Sequence, residues 1–301
     1  MSGITLGTVQ LGMEYGIANK SGKPNLEKSF KILETALAGG VNSFDTSDAY
    51  GDSEAILGEY FKTAEKPLFT TKFRIDPAGD TSKAGIEKQI FDSAGRSVDK
   101  LGIQKIPVYM LHVAQDLARY GSAVPEALKK LRDSGLIGIP AVSVYTADEA
   151  EEMLRYGIFG AIQLPINAFD RRMVRAGVIK KLKQAEIIVF ARSVFQQGLF
   201  FLKPEELPRG LEFAGEALLK LKRLSESEGL SIAQSTLGYI RDMEGITSLV
   251  VGAETPEQIS ENIRLMETPR ISERLINSIE TEFEGFPIEK VVETLRNRPA
   301  S

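Results

Sequence analysis

Four side chains stand where a proton could be handed to a carbonyl oxygen. They are Asp45 and Tyr50 in "FDTSDAYGDSE" (44–54), Lys72 in "LFTTKF" (68–73) and His112 in "VYMLHV" (108–113). A tyrosine used as an acid near neutral pH needs its pKa drawn down from about 10. A neighbouring ammonium does this by favouring phenolate. At about 4 Å and an effective dielectric of about 20 the attraction approaches 4 kcal/mol, enough to move the pKa by about three. Burial opposes it, raising tyrosine and lowering lysine. A buried Lys72 therefore needs a carboxylate to keep its proton, and Asp45 is the candidate. A neutral His112 with one N–H would orient and polarise the oxygen. Each residue also has a plainer reading. Asp45 and Asp48 could be loop or cap carboxylates, Lys72 a solvated lysine, Tyr50 packing and His112 a core histidine. Convergence on one point decides between the readings, and that depends on the fold.

Short apolar, β-rich runs alternate with segments of helical period. The runs are "ITLGTV" (4–9), "NSFDTS" (42–47), "LFTTKF", "VYMLHV", "PAVSVY" (140–145), "AIQLPI" (161–166), "IIVFARS" (187–193) and "TSLVVGA" (247–253). In the helical segment 25–40, Phe30, Leu33 and Leu37 share a face, Asn25 caps the start and Gly39-Gly40 mark the end. Strict alternation predicts a parallel sheet with right-handed crossovers. Eight such units predict a closed (β/α)8 TIM barrel as a single domain over 1–301. A doubly wound open sheet is the runner-up, but no GxGxxG turn follows the first strand. In a barrel, catalytic groups sit at the C-terminal ends of strands, so Asp45, Tyr50, Lys72 and His112 would share one mouth. The longest interruption is 196–213. "ISERLINSIETEFEGF" (271–286) reads as a final helix laid across the barrel, with a loosely held tail after Pro287. "TPEQ" (255–258) reads as a capping box, with Thr255 as cap, Pro256 in the first turn and Gln258 reaching back.

Composition excludes several alternatives. Apolar residues make up 43% and charged residues 26%, with a net charge of −4, as in soluble globular proteins. Scattered Lys and Arg argue against a nucleic-acid groove. No apolar run approaches the roughly 18–20 residues that span a bilayer. The absence of cysteine removes disulfides and thiolate sites, and a single histidine removes a multi-His metal site. No secretory start is visible, so the cytoplasm is the expected location.

"FDTSDAYGDSEAILGEYF", "TTKF" and "LH" at these intervals resemble the aldo-keto reductase family, barrels that reduce aldehydes and ketones with a nicotinamide cofactor. The family's Asp, Tyr, Lys and His tetrad maps onto Asp45, Tyr50, Lys72 and His112. The resemblance continues through "AVSVY", "IQLPIN", "ARSVFQQGL" and "VVGAETPEQISENI" (250–263). It implies that Ser143 and Gln163 bind the nicotinamide carboxamide, with Val144 where relatives often carry Asn. It implies that Arg192 takes the place of an aromatic ring stacked on the nicotinamide. Gly198, Gly252, Glu254 and Gln258 would line the cofactor site, with Glu261 and Asn262 at the adenine. The family favours NADP(H). Gly252, Ala253, Glu254 and Gln258 stand where relatives hold the 2′-phosphate with basic residues, which makes NAD(H) or dual use possible.

The implied function is NAD(P)H-dependent reduction of a small-molecule carbonyl, with Tyr50 as the acid. A cofactor-binding regulatory or redox-sensing barrel is the alternative. A Schiff-base aldolase using Lys72 leaves Asp45, Tyr50 and His112 unexplained. The N-terminal hairpin of many relatives would be reduced. Met13 and Tyr15 in the long first loop (10–24), and Phe200 and Phe201 in "GLFFL", are candidate mouth residues or rim packing. Neither the substrate nor the oligomeric state is legible.

Overall fold

Val-, Ile-, Thr- and Phe-rich runs suit a pleated surface buried on both sides, and they form the strands here. The computed structural model describes residues 1–297. Its strands are β1 Ile4–Gly7, β2 Ser43–Asp45, β3 Leu68–Phe73, β4 Ile106–Leu111, β5 Ile137–Ser143, β6 Ala161–Pro165, β7 Ile188–Arg192 and β8 Ser248–Gly252. They are parallel and close in chain order, β8 returning to β1 with Gly7 opposite Gly252. Closure removes the open-sheet alternative. Strand ends fall inside the sequence-predicted runs because the last residues of several runs already belong to mouth loops.

Two apolar clusters separate the inside of the barrel from its wall. Val108, Met110, Ala141, Ala161 and Phe190 form the inner one, with Leu68, Ile139, Ile188 and Val250 against it. Their neighbours Tyr109, Leu111, Val142, Ile162 and Val189 face the helices instead. This is the period of two of a strand. Continued to the C-terminal end, the inner parity carries Asp45, Lys72, Ser143, Gln163, Arg192 and Gly252. The register agrees, with Gly7 opposite Asp45, Lys72 opposite Met110 and Ser143 opposite Gln163.

Helix Leu26–Ala38 is capped by Asn25, whose side chain accepts from the Lys28 N–H, and ends at Gly39. Ser29, Ile32, Leu33 and Ala36 form its buried face, while Phe30 and Leu37 flank it half-buried. Helix Glu273–Glu282 packs on helix Gly215–Ser227 at the outer wall. The segment after Pro287 is not loosely held: it forms helix Ile288–Arg296, with Ile288 and Val291 buried. Ile288, Val291, Val292 and Leu295 lie at three- and four-residue spacing and give it a docking face. The end of the tail, 298–301, lies outside the described residues. Gln258 does not complete a capping box. Thr255 accepts from the Gln258 N–H, but the Gln258 Oε1 accepts from Glu254 N at 2.7 Å, one residue before the cap.

The loop carrying Tyr50 is fixed by close backbone contact. A Cβ on Gly12 would lie 1.7 Å from the Tyr50 carbonyl oxygen, and Gly51 adopts φ +53° with Gly12 O beneath it. Gly12→Ala must move this loop, so a loss of about 1–3 kcal/mol of stability is expected in denaturant unfolding. Gly95, inside helix Lys83–Leu101, has no atom within 4 Å of an added Cβ. Gly95→Ala should therefore gain about 0.5–1 kcal/mol. Equal midpoints for the two variants would contradict this reading of the packing.

Candidate active site

β2 and β3 end side by side, and their last inward side chains meet. Lys72 Nζ lies 2.7 Å from both carboxylate oxygens of Asp45. It also donates to Thr46 O at 2.9 Å and approaches the Tyr50 hydroxyl at 3.4 Å. An ammonium has three protons, and these partners use them all. Gln163, reaching across from β6, donates its Nε2 to Asp45 Oδ1 at 2.8 Å. Burial pulls Lys72 below its usual range and Asp45 opposes that. Asp48, by contrast, accepts from Ser93 Oγ at 3.1 Å, and burial raises its pKa.

His112 follows β4 directly, its ring 5.9 Å from that of Tyr50 in an edge arrangement. Arg74 Nε donates to His112 Nδ1 at 3.4 Å, and Ser47 Oγ lies 3.2 Å from the same nitrogen. Because a guanidinium can only donate, Nδ1 is the acceptor and Nε2 carries the hydrogen. Burial, then Lys72, Arg74 and Arg192, push the imidazole from its ordinary 6.5 down to about 2. The ring is neutral, with Nε2–H as its donor.

Tyr50 departs from the sequence-based expectation. Its pKa is raised well above 10, first by burial and then by the Asp45 charge, with Arg192 and Arg74 pulling partly back. Lys72 does not draw it down, because the Asp45 carboxylate at 2.7 Å compensates its charge. Of the pair, the carboxylate is the member whose charge is felt at the phenol.

A crevice of about 510 Å³ opens beside these groups. It runs from Asp45, Tyr50 and Gln163 past Arg192 and Gly198 to Gly252, Glu254, Gln258, Glu261 and Asn262. The first loop roofs it through Tyr15, Gly16 and Ala18, with Ile17 N donating to Gln197 O at 3.0 Å. Ser193 and Gln197 on its wall, and the buried Gln196 between them, all have positive φ, at 62°, 56° and 46°. Left-handed backbone costs non-glycine residues about 1–3 kcal/mol each and persists only where its surroundings over-determine it. Asn167 does so here, donating to Ser193 O at 3.0 Å and Gln196 Oε1 at 2.8 Å.

Ser143 is buried at the end of β5 but does not border the crevice. Arg192 does, yet its guanidinium stacks on Tyr145, 4.1 Å from the ring centroid. Phe200 is core, edge-on to Phe169 at 4.9 Å, whereas Phe201 is 49% exposed and lines the crevice. Tyr15 and Met13 are both 37% exposed, but only Tyr15 lines the crevice, where burial and Tyr50 raise its pKa. Sequence reasoning missed Gln10, whose buried Oε1 has no partner, and it missed Arg74 and Tyr145. Arg74 is two residues beyond Lys72, and Tyr145 two beyond Ser143. Lys72 reads as a strand end and Ser143 comes from the family resemblance; strand parity, continued two residues further, is the signal that could have found Arg74 and Tyr145.

His112 is the only histidine in the chain, so its imidazole gives an unambiguous NMR signal. It should not titrate between pH 4 and 9, since its pKa of about 2 lies below that window. By linkage, the unfolded chain binds this proton first as pH falls through 6.5. The histidine thus contributes stability above 6.5 that is lost progressively on acidification toward 2. A resonance with a midpoint near 6.5 in the folded protein would refute the buried neutral ring.

Comparison with known proteins agrees with this architecture. The chain is 26% identical over 296 residues to the uncharacterized oxidoreductase YqkF of Bacillus subtilis, covering 92% of this chain and 94% of that one. It is 27% identical over 256 residues to the NADH-specific methylglyoxal reductase of Escherichia coli, covering 74% and 78%. Among solved structures, the holo form of aldo-keto reductase AKR11C1 from Bacillus halodurans superposes with a TM-score of 0.74 at 21% identity, over 93% of this chain and 91% of that one. An aldo-keto reductase from Klebsiella pneumoniae in complex with NADPH gives 0.70 at 16% identity, over 94% and 91%. The model of the Aldo/keto reductase family matches residues 3–281, and on that match the chain belongs to the aldo-keto reductase family.

Proposed function

We propose that the chain, acting as one domain over residues 1–301, reduces an aldehyde or ketone to an alcohol with a nicotinamide coenzyme. One observation carries the reading: a single buried ammonium contacts both the Asp45 carboxylate and the Tyr50 hydroxyl, with the neutral His112 ring beside them. The crevice residues would hold a reduced nicotinamide, which would supply the hydride. His112 Nε2–H donates to the carbonyl oxygen and fixes its position. Tyr50 gives its proton to that oxygen as negative charge develops there. The phenolate left behind is stabilised by Lys72 Nζ at 3.4 Å, which can return a proton to it. Burial raises the proton affinity of Tyr50 and lowers that of Lys72, so the two are driven apart in the sense that favours proton return from the ammonium to the phenolate. Lys72 is 1% exposed and its protons are engaged, so it offers no free amine for a Schiff base.

The crevice suits a dinucleotide. Gln10 Oε1 is a buried acceptor awaiting a donor, and a Cβ on Gly252 would come within 2.3 Å of the Gln10 amide. The bare backbone at Gly252 leaves room for close approach. Gln163, Arg192 and Gly198 would border the nicotinamide half, with Ser143 behind Gln163. Glu254, Gln258, Glu261 and Asn262 would border the adenosine half. The family likeness favours NADP(H), yet among the described residues Arg192 is the only Lys or Arg lining the crevice, and it stands at the reacting end. Glu254 and Glu261 would repel a 2′-phosphate, while a ribose hydroxyl could donate to Glu254. NADH should therefore bind at least as tightly as NADPH when each is titrated by nucleotide fluorescence. A tenfold advantage for NADPH would reverse this reading.

Tyr50→Phe should lower carbonyl turnover by about 10²–10⁴-fold and leave coenzyme affinity nearly unchanged. Full turnover in this variant sinks the acid assignment. Coenzyme binding by the unaltered chain, with no turnover across a broad carbonyl panel, would favour a regulatory barrel. Lys72→Met strands the Asp45 carboxylate and should cost about 3–5 kcal/mol of stability as well as activity. Adding Asp45→Asn should restore much of the stability and none of the turnover. Recovery of both together would deny the ammonium its electrostatic role.

A further inference from the structure

The crevice occupies the β7, β8 and β1 side of the mouth, which leaves the exits of β3, β4 and β5 for whatever meets Tyr50 and His112 from the other side. Arg74 and Arg296 stand on that side, and Arg192, which also lines the crevice, reaches across to Tyr145 just beyond β5. Arg74 leaves β3 and touches His112 Nδ1 at 3.4 Å through Nε. Arg192, at the end of β7, stacks on Tyr145 at 4.1 Å, and Arg296, from the C-terminal helix, stacks on the same ring at 3.8 Å. Two guanidiniums that close to one centroid cannot share a face, so they sandwich the ring. Among the described residues, none of the three makes an ion pair with a carboxylate.

None of them has the paired carboxylate that Lys72 has: Arg74 is felt by Asp48 only at longer range, and Arg192 donates to the neutral Val144 O at 3.0 Å and Ser193 Oγ at 3.2 Å. The contrast extends to the whole molecule: the chain carries a net charge of −4, and most of its other cations are scattered among acidic residues. Arg192, first, and Arg296 hold the Tyr145 phenol below its ordinary 10, and Arg74 adds to the effect. The same hydroxyl thus feels all three cations. Repulsion between unpaired guanidiniums makes such a cluster costly without an anion between them.

We propose that Arg74, Arg192 and Arg296, around Tyr145, form a subsite for an anionic group of the substrate, so that the favoured substrates are short carbonyl compounds bearing a carboxylate or a phosphate ester. Guanidinium donors match either group bidentately. Arg74 and Arg296 are exposed at the rim and Arg192 is half-buried, so the anion sits at the entrance while the carbonyl points inward to Tyr50. The proposal rests on the reductase reading for the carbonyl end and on the arginines alone for the anionic end.

Two matched pairs test it: succinic semialdehyde against butanal, and glyceraldehyde 3-phosphate against glyceraldehyde. A charge-assisted contact at this site should raise kcat/KM for an anionic member about tenfold or more over its neutral partner, mainly through KM. The pair that responds distinguishes carboxylate from phosphate. Arg296→Gln, on a helix remote from the reacting groups, and Arg74→Gln should each collapse that ratio. Neutral aldehydes reduced as well as both anionic partners would overturn the subsite and leave the reductase reading intact. A ratio unmoved by either substitution would also overturn it. If no carbonyl is turned over, calorimetric titration of the full chain with succinate and with glycerol 3-phosphate decides. Binding that Arg296→Gln weakens about tenfold supports the subsite, and absent or unaffected binding rejects it.

Discussion

Lys72 and Asp45 face each other with side chains only 1% and 5% exposed, both oxygens 2.7 Å from the ammonium. Withdrawing two such charges from water costs several kcal/mol per ion, and attraction in a poorly polarisable interior repays it only when geometry and remaining hydrogen bonds are satisfied. Here they are, through Thr46 O on the lysine and the Gln163 amide on the aspartate. A buried pair of this kind adds little net stability over an apolar replacement. Its effect is positional. It ties the C-terminal ends of β2, β3 and β6 together across the inside of the barrel, and any slip of register would strand a charge. Tyr50 begins its approach five residues after Asp45, so its hydroxyl is held relative to an anchor that cannot move cheaply.

The rest of the mouth is arranged around that anchor by contacts that leave no slack. Gly12 and Gly51 let the first loop press on the Tyr50 backbone, and Ile17 N joins the same loop to Gln197 O. The strained exit of β7 is held by the Asn167 side chain. Crevice wall, roof and Tyr50 are thus mechanically linked, so a change at one is felt at the others. His112 adds an electrostatic condition. With Nδ1 occupied by Arg74, its remaining hydrogen can only point away from the arginine.

Part of this was legible in the sequence because the strand ends of a closed barrel meet at one mouth. Asp45, Lys72 and His112 could be placed at strand ends from the alternation of elements, Ser143, Gln163, Arg192 and Gly252 only through the family resemblance, and the closed barrel brings these strand ends to one face. What failed to be legible depended on who owns a partner. The sequence reading had Lys72 lowering the Tyr50 pKa, but an ammonium already compensated by a carboxylate exerts little field at a phenol, and burial prevails. Gln258 turned to Glu254 rather than to its cap by a choice between neighbouring N–H groups that spacing cannot decide. The C-terminal helix was overlooked because its apolar stripe is short and follows a proline, although Ile288 and Val291 bury fully in the structure.

The distribution of charge at the mouth has a consequence for where catalytic stabilisation arises. A pair as tight as Lys72 and Asp45 presents a dipole, whose influence falls off faster than that of an isolated charge. Arg192 and Arg74 make no such ion pair among the described residues, and both act on Tyr50 and His112. In the proposed reaction their field would favour negative charge at the oxygen that Tyr50 and His112 address, and with burial and Lys72 it keeps a proton off the imidazole. The neutral histidine and the oxyanion stabilisation proposed for the site then share one cause. On that reading the ion pair fixes the place of the proton transfer, and the arginines set the sign of the potential in which it would occur.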